Sequence, residues 1–294
     1  MPLKKKKSTD PSSAWRSFTR QLQKKLSKLR KDIRKLDSKS SRATIHRLRV
    51  LSRRVRAMLA VFKAEPQKNL LKSIEKPVKK LTRLLSPIRS LDVSAKLMED
   101  HLFKVPAPER GPLRDAITAL RRQQREARRG LGKASRRLQA ALKSVPLDRW
   151  EDPDAGRRFL PALRRRLRSA RSRAARALRE YRRTPGMHRL HEFRITLKKY
   201  RYLLEIHADA LRRAEPALRT LKTLQDYIGT MHDLEVLRQW LQDPKVSRTI
   251  AKKEPRRALA RFTAGLAAEV AVLEKSFLSR QGRRLSALFP REVP

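Results

Sequence analysis

Apolar residues recur along this chain at intervals of three and four, the spacing typical of one buried face of an amphipathic helix. Leu48, Leu51, Val55, Leu59 and Phe62 follow this spacing. No stretch shows the strict alternation of a half-buried strand. We predict helices over residues 15–36, 43–63, 67–86, 94–103, 109–144, 158–183, 188–212, 216–228, 234–242 and 254–288. The pattern therefore predicts an all-α fold.

Proline and glycine set the predicted helix ends. Pro77 falls inside the predicted helix 67–86. Because proline lacks the N–H that a helix interior needs, the alternative is a new helix that begins at Pro77 and leaves residues 67–75 as a separate short segment. Pro185-Gly186 and Gly229 are expected to end helices. Three further glycines predict kinks or breaks within long helical patterns: Gly130, Gly132 and Gly265.

Two stretches that lie 145 residues apart carry the same basic pattern on the side opposite their apolar face. The members of the first are His46, Arg49, Arg53, Arg54 and Arg56, and those of the second are His191, Arg194, Lys198, Lys199 and Arg201. Offsets of 0, 3, 7 and 10 fall within a narrow arc, because each helical residue turns the chain by about 100°. Each stretch therefore presents one basic stripe, led by a histidine.

The repeat extends to the neighbouring helices. The same offset aligns the exposed cations of the preceding helix, which are Arg20, Lys28 and Lys31 in the first half and Arg165, Arg173 and Arg176 in the second. In the following helix the offset becomes 143 and aligns Lys79 with Lys222. We predict two pseudo-symmetric helical bundles that arose by internal duplication, over residues 14–147 and 158–290, with a linker at 148–157 and a flexible basic tail at 1–13.

The charge balance of the chain indicates what kind of partner the protein binds. The chain has 76 Lys and Arg against 28 Asp and Glu, a net charge of +48. Self-repulsion of this size opposes compaction unless a polyanion or counterions neutralise it. Cysteine is absent, which excludes disulfides. No secretory signal or long apolar run is evident, so we expect a soluble, intracellular protein.

A basic helix face can be merely solvated, but the duplication favours an anion site. Like charges at spacings of three and four repel one another, and their repetition in both halves is difficult to explain by solubility alone. From His46 to Arg56 a helix rises roughly 15 Å, enough to meet several successive phosphates. Arginine and lysine bind such groups by charge-assisted hydrogen bonds.

Metal binding and catalysis are not expected. His188 and His191 share a helix face, but the neighbouring cations would repel a metal ion. The sequence has no Gly-rich phosphate loop, no clustered carboxylates for magnesium and no evident nucleophile with its base. We therefore expect no metal, no cofactor and no enzymatic activity.

The repeated motifs HRLRVLSRRVRAMLAVF and HEFRITLKKYRYLLEIH, the second followed by LKTLQDYIGTMHDLEVL, resemble the CHAD family, the conserved histidine α-helical domain, over almost the whole chain. The resemblance implies two related bundles around a central basic channel that binds inorganic polyphosphate. It places binding residues on both basic stripes and adds Lys79, Arg89, Lys222 and His232. We also expect the aligned cations of the preceding helices to bind polyphosphate: Arg20, Lys28, Lys31, Arg165, Arg173 and Arg176.

The resemblance carries further expectations. Ser90 stands where the family has an acidic residue, which the second half retains as Asp233. Members often carry a triphosphate tunnel domain ahead of the helices, and the absence of an acidic β-rich segment here suggests a stand-alone version. The implied location is the cytoplasm, including polyphosphate granules.

Two other classes of partner remain open. A pI near 11.7 equally suits a nucleic-acid-binding protein. However, aromatic residues are 5% of the chain, and Phe62, Phe193 and Tyr200 fall on predicted core faces, so platforms for stacking on single strands are not apparent. Alternatively, Lys4 to Lys7 could anchor a scaffold to an acidic membrane or granule surface.

Overall fold

The computed structural model describes residues 11–61, 68–143, 155–211, 215–244, 246, 253–281 and 289. Throughout this described part the chain is helical and has no strand. The helices are α1 Pro11–Arg34, α2 Arg42–Val61, α3 Lys68–Leu102, α4 Arg110–Arg128, α5 Leu131–Lys143, α6 Ala155–Arg183, α7 Met187–Leu211, α8 Glu215–Gln242 and α9 Lys253–Ser276. A short 3-10 turn, Ala107–Glu109, precedes α4, and a π-helical turn, Phe277–Gln281, follows α9. The predicted all-α fold is confirmed.

Two of the predicted breaks are confirmed. Helix α4 ends at Arg128 and α5 begins at Leu131, so the long pattern divides at Gly130 as expected. Helix α6 ends at Arg183, just before Pro185-Gly186. Gly186 has a φ of 153°, a conformation that glycine adopts without the steric cost of a side chain.

Other predicted breaks are wrong. Helix α3 runs without interruption through Pro77, so the alternative start there is wrong. It also continues through Pro87, so the separate helices predicted over 67–86 and 94–103 are one helix. Helix α8 continues past Gly229 and α9 past Gly265.

The packing of α3 explains its continuity. One fully buried stripe runs past both prolines with spacings of four and three, through Ile74, Val78, Leu81, Leu85 and Ile88. Proline inside a helix costs about 3 kcal/mol relative to alanine, and burial of each large apolar side chain returns about 1.5–3 kcal/mol. The tertiary gain therefore outweighs the local cost.

The segment boundaries also need correction. Residues 11–13, assigned to the flexible tail, belong to α1, and residues 155–157, assigned to the linker, belong to α6. The predicted ends of several elements lie outside the described residues: residues 1–10 of the tail, Phe62, the linker residues 148–154 and the segment 282–288.

Most consecutive helices pack as neighbours, but α5 packs instead on α1 and α3. Each of the first four helices also contacts a helix of the second half. These later contacts join α1 to α6, α2 to α7, α3 to α8 and α4 to α9. Helix α2 begins at Arg42 and α7 at Met187, which gives an offset of 187 − 42 = 145. This order is what a duplication would produce, and the pseudo-symmetry of the two halves stays a prediction.

The hydrophobic core crosses the predicted division between the halves. Phe159 of α6 packs its ring 4.7 Å from that of Phe18 and 5.5 Å from that of Trp15, both on α1. A separate apolar cluster combines α3 and α4 with α8 and α9, including Leu113 and Phe262. The two halves therefore bury apolar surface against each other and hold α2 and α7 in a fixed relation.

Candidate functional site

The packing of α2 against α7 brings the two basic stripes together. Each helix buries its apolar face, with Leu48 and Val55 on α2 and Phe193 and Leu197 on α7 fully buried. The opposite sides carry cations close enough to change one another's pKa values. We call these cations the basic cluster, and its members are Arg49 and Arg53 of α2, Arg89 of α3, and Arg194 and Lys198 of α7.

The guanidinium of Arg49 lies largely buried among like charges. Burial, followed by the charges of Arg53 and Arg194, lowers the pKa of Arg49 to about 10. Burial is also the main cause that lowers the pKa of Arg194. The Nε atoms of Arg49 and Arg194 are buried without a hydrogen-bond partner. These two donors are therefore available to an acceptor that enters the cluster.

Lys198 is the most strongly perturbed cation of the cluster. Burial, followed by the charges of Arg194, Arg53 and Arg49, lowers its pKa to about 6. The carboxylate of Asp233 acts in the opposite direction but is the smallest of these influences. The Lys198 amine is therefore mostly neutral at pH 7 in the free protein.

The histidines that lead the stripes have partners at equivalent positions. His46 lies near Arg89, and His191 stacks on His232 with ring centroids 5.1 Å apart. Arg89 and His232 are 143 residues apart, the offset expected for the third helix of each half. Burial is the first cause that lowers the pKa of both leading histidines, and neighbouring positive groups are the next. Both imidazoles are therefore neutral near pH 7.

Two residues that sequence reasoning missed, Tyr202 and Glu205, lie at one end of the cluster. The guanidinium carbons of Arg53 and Arg201 lie 5.9 and 5.2 Å from the centre of the Tyr202 ring. Glu205 forms ion pairs with Arg54 and Arg201, at 3.5 and 3.4 Å. Arg54, Tyr202 and Glu205 line a cavity of about 350 Å³.

The internal repeat does not reveal Tyr202 and Glu205 at this end of the basic cluster. At an offset of 145, Tyr202 and Glu205 align with Ala57 and Ala60, so the comparison of the two stripes passes over them. Their positions four and seven residues after Lys198 continue the helix face and could have revealed them.

Arg56 lies on the other side, toward α3. Burial is the main cause that lowers the pKa of Arg56. The charges of Arg53 and Arg83 also lower it, and the charge of Glu75 raises it. Arg56 therefore connects the basic cluster to the cations of α3.

The remaining predicted site residues are exposed. They are Arg20, Lys28, Lys31, Lys79, Arg165, Arg173, Arg176, Lys199 and Lys222. The structure thus brings together the inner part of each stripe and leaves the outer cations of α1, α3, α6 and α8 on the surface.

Among the described residues, no group of three or more His, Asp or Glu side chains has a geometry that could hold a metal ion. No described helix is long and apolar enough to cross a membrane.

Comparison with known proteins identifies the family. The CHAD domain model matches residues 13–242, which include the basic cluster. The chain belongs to the CHAD domain family. A crystal structure of the CHAD domain from the plant Ricinus communis is similar over 93% of this chain and 88% of that one, with 19% identity and a TM-score of 0.56. This likeness shows that the CHAD chain shares the fold. No curated protein matches it significantly.

The departure at Ser90 has a structural counterpart in this CHAD domain. Ser90 is exposed, and the nearby carboxylate of the first half is Asp92, which is 1% exposed. Asp92 accepts a hydrogen bond of 2.8 Å from Arg128. In the second half Asp233 lies 4.0 Å from Arg194. The first-half carboxylate is therefore engaged with α4, whereas the second-half carboxylate faces the basic cluster.

Proposed function

We propose that this CHAD protein binds inorganic polyphosphate at the basic cluster. The observation that carries the proposal is the convergence of four arginines and Lys198 from α2, α3 and α7, with Asp233 as the carboxylate that acts on Arg194 and Lys198. An arrangement with this excess of positive charge is stabilised when an anion enters it.

The unpaired donors strengthen the argument. A buried donor without a partner costs about 1–3 kcal/mol, and Arg49 and Arg194 each hold one. Phosphate oxygens accept short, charge-assisted hydrogen bonds from guanidinium groups. A chain of linked phosphates would supply acceptors to both arginines, which come from different halves of the molecule.

The position of the cluster favours a narrow polyanion over a nucleic acid. Arg49, Arg194 and Lys198 are largely buried between helices, where a single chain of phosphates fits better than a duplex. Phe193 and Tyr200 lie in the core and cannot stack on the bases of a single strand. Tyr202, the aromatic side chain at the end of the cluster, lies against the guanidinium groups of Arg53 and Arg201. A central channel and a nucleic-acid-binding surface both remain predictions from the sequence.

The proposal is tested by competition. Labelled long-chain polyphosphate is bound to the protein, and unlabelled polyphosphate or duplex DNA of equal total charge is added at the same salt concentration. We expect polyphosphate to displace the label at a concentration at least tenfold lower than DNA does. We also expect the logarithm of affinity to fall linearly with the logarithm of salt concentration, through counterion release. Preference for DNA would overturn the proposal.

We also propose that polyphosphate is held without being cleaved and that binding recruits the protein to polyphosphate granules. The cluster offers cations that hold phosphate oxygens, and among the described residues no group of carboxylates and histidines that could position a metal ion accompanies them. Gel analysis of polyphosphate after prolonged incubation should show an unchanged chain length. A fluorescent fusion should colocalise with stained granules and disperse when granules are absent.

A further inference from the structure

A second cavity, of about 790 Å³, lies between α3 and α5 and is separate from the basic cluster. Its floor is apolar and consists of Pro77, Leu84, Ala134, Leu138 and Ala141. Leu138 belongs to the core of the first half, and Leu84 packs against that core. The small alanines of α5 leave space beside α3 that larger side chains would fill.

The charged residues that line this cavity form its rim, and all of them are cationic. Its charged members are Lys76, Lys79, Lys80, Arg83, Lys133 and Arg137, and no carboxylate is among the described residues that line the cavity. These side chains include three like-charged pairs at a spacing of four, two on α3 and one on α5. Such pairs are unfavourable on a helix, and here two helices present them to the same space.

Lysine and arginine stems often cover apolar surface while their charged ends reach water. That role alone is served equally well by side chains of mixed charge. Among the described residues that line the cavity no carboxylate balances these cations, which indicates instead that the rim is complementary to an anion. The floor indicates that the same ligand has an apolar part.

We propose that the groove between α3 and α5 binds a single-chain amphiphilic anion, with a phosphate or carboxylate head on the rim and an alkyl chain on the floor. The cavity volume lies in the range of about 300–1,000 Å³ that is usual for small-molecule sites. This site goes beyond polyphosphate binding, because polyphosphate has no apolar part to place on Leu84 and Leu138.

Chain-length dependence tests the role of the floor. Dodecyl phosphate, kept below its micellar concentration, and butyl phosphate are titrated into the full chain by calorimetry. We expect dodecyl phosphate to bind at one site at least tenfold more tightly than butyl phosphate. Equal affinities would overturn the proposal, and so would binding to anionic vesicles without binding to monomeric dodecyl phosphate.

Matched charge variants test the role of the rim. Changing Lys76, Lys80 and Lys133 to Gln should weaken dodecyl phosphate binding at least tenfold. The control removes the same charge from the exposed face of α1, with Lys24, Lys28 and Lys31 changed to Gln, and should alter affinity less than twofold. Similar losses of dodecyl phosphate affinity in both variants would mean that the ligand is bound by general electrostatic attraction, and would overturn the proposal.

A charge-neutral variant separates this site from the polyphosphate site. Ala134→Trp should fill the groove and weaken dodecyl phosphate binding at least tenfold, while polyphosphate affinity stays within twofold. Unfolding measurements establish that the variant is folded, and the surface rim variants supply the same test if it is not. Undiminished dodecyl phosphate binding in a folded Ala134→Trp protein would overturn the assignment.

Discussion

The neutral amine of Lys198 makes polyphosphate binding a proton-linked reaction. Its pKa of about 6 in the free protein leaves it uncharged at pH 8. A bound polyanion favours the charged form and raises this pKa, so binding takes up protons at pH values between the free and bound pKa values. Within that interval the affinity should fall as the pH rises.

Calorimetry at pH 8 in buffers of different ionisation enthalpy measures this proton uptake. We expect clear uptake by the native protein and loss of most of it in Lys198→Met. Burial also lowers the pKa values of the leading histidines, and the difference between the native protein and Lys198→Met separates the amine from them. Unchanged uptake in the Lys198→Met variant would contradict the assignment to this amine.

The cations of the cluster should matter more than equal charge elsewhere. We expect a change of Arg49, Arg53, Arg194 and Lys198 to Gln to weaken polyphosphate binding by about 100-fold or more, since hydrogen bonds to charged groups contribute about 1.5–3 kcal/mol each. Direct binding titrations at physiological salt measure the change.

Two controls lose the same four charges. Changing Lys4, Lys5, Lys6 and Lys7 to Gln removes the basic run near the chain's start. Changing Arg20, Lys28, Arg165 and Arg173 to Gln removes exposed cations of α1 and α6. Both should cost much less affinity, because the Debye length of about 8 Å screens charges that act from a distance. Equal losses in all three variants would mean binding by diffuse charge.

At the scale of elements, a buried ion pair fastens α3 to its neighbours. Arg128, at the end of α4, donates to Asp92 of α3 at 2.8 Å and to the carbonyl of Ser40 before α2 at 2.9 Å. Burial raises the pKa of Asp92, and Arg128 opposes that rise. Arg128→Met should therefore lower the free energy of unfolding by about 3 kcal/mol at pH 7.5, because it leaves a buried carboxylate without its cation.

This loss should shrink as the pH falls. Without Arg128 the pKa of Asp92 rises further, so the carboxyl is neutral in the folded state at a higher pH and no longer needs a cation. Urea unfolding at pH 7.5 and pH 5 measures the effect. Arg122→Met, which breaks the exposed pair with Glu126, should cost at most about 0.5 kcal/mol at either pH. A loss for Arg128→Met that is equally small would show that the buried pair adds nothing.

The elements could be predicted from sequence where a single helix determines the pattern. The apolar stripes of α2 and α7 and the break at Gly130 follow from spacing and propensity within a few residues. The uninterrupted courses of α3 through Pro77 and of α8 through Gly229 could not, because distant helices bury the apolar faces on both sides of these residues.

The residues of the candidate site could be predicted from sequence only as far as they share a face of one helix. Spacing indicates that Arg49 and Arg53 share a face and that Arg194 and Lys198 share another. Spacing does not indicate which faces of different helices meet. Sequence reasoning therefore predicted both exposed Lys79 and largely buried Lys198 as binding residues. The pKa of that lysine depends on α2, α7 and α8 together and has no local signature.

At the scale of the whole molecule, the core joins the two halves. Phe159, Leu160 and Leu163 of α6 and Ile206 of α7 belong to the same buried cluster as α1, α2 and α3. We therefore expect residues 1–147 and 148–294, produced separately, to lose much of their helicity, and the full chain to unfold in one transition. Circular dichroism and scanning calorimetry measure these properties. Two transitions that match those of stable separate halves would contradict this expectation.

The packing of α9 bears on where the domain can be cut. The family match ends at residue 242, yet α9 places Leu259, Phe262, Leu266 and Val270 against α3, α4 and α8. Tyr181 of α6 also donates to Glu274 of α9 at 2.7 Å. A chain shortened to residues 13–242 would expose that apolar face to water, and such patches promote self-association. Light scattering should therefore detect aggregates of the shortened chain. The unit that folds extends beyond the residues that the family model matches.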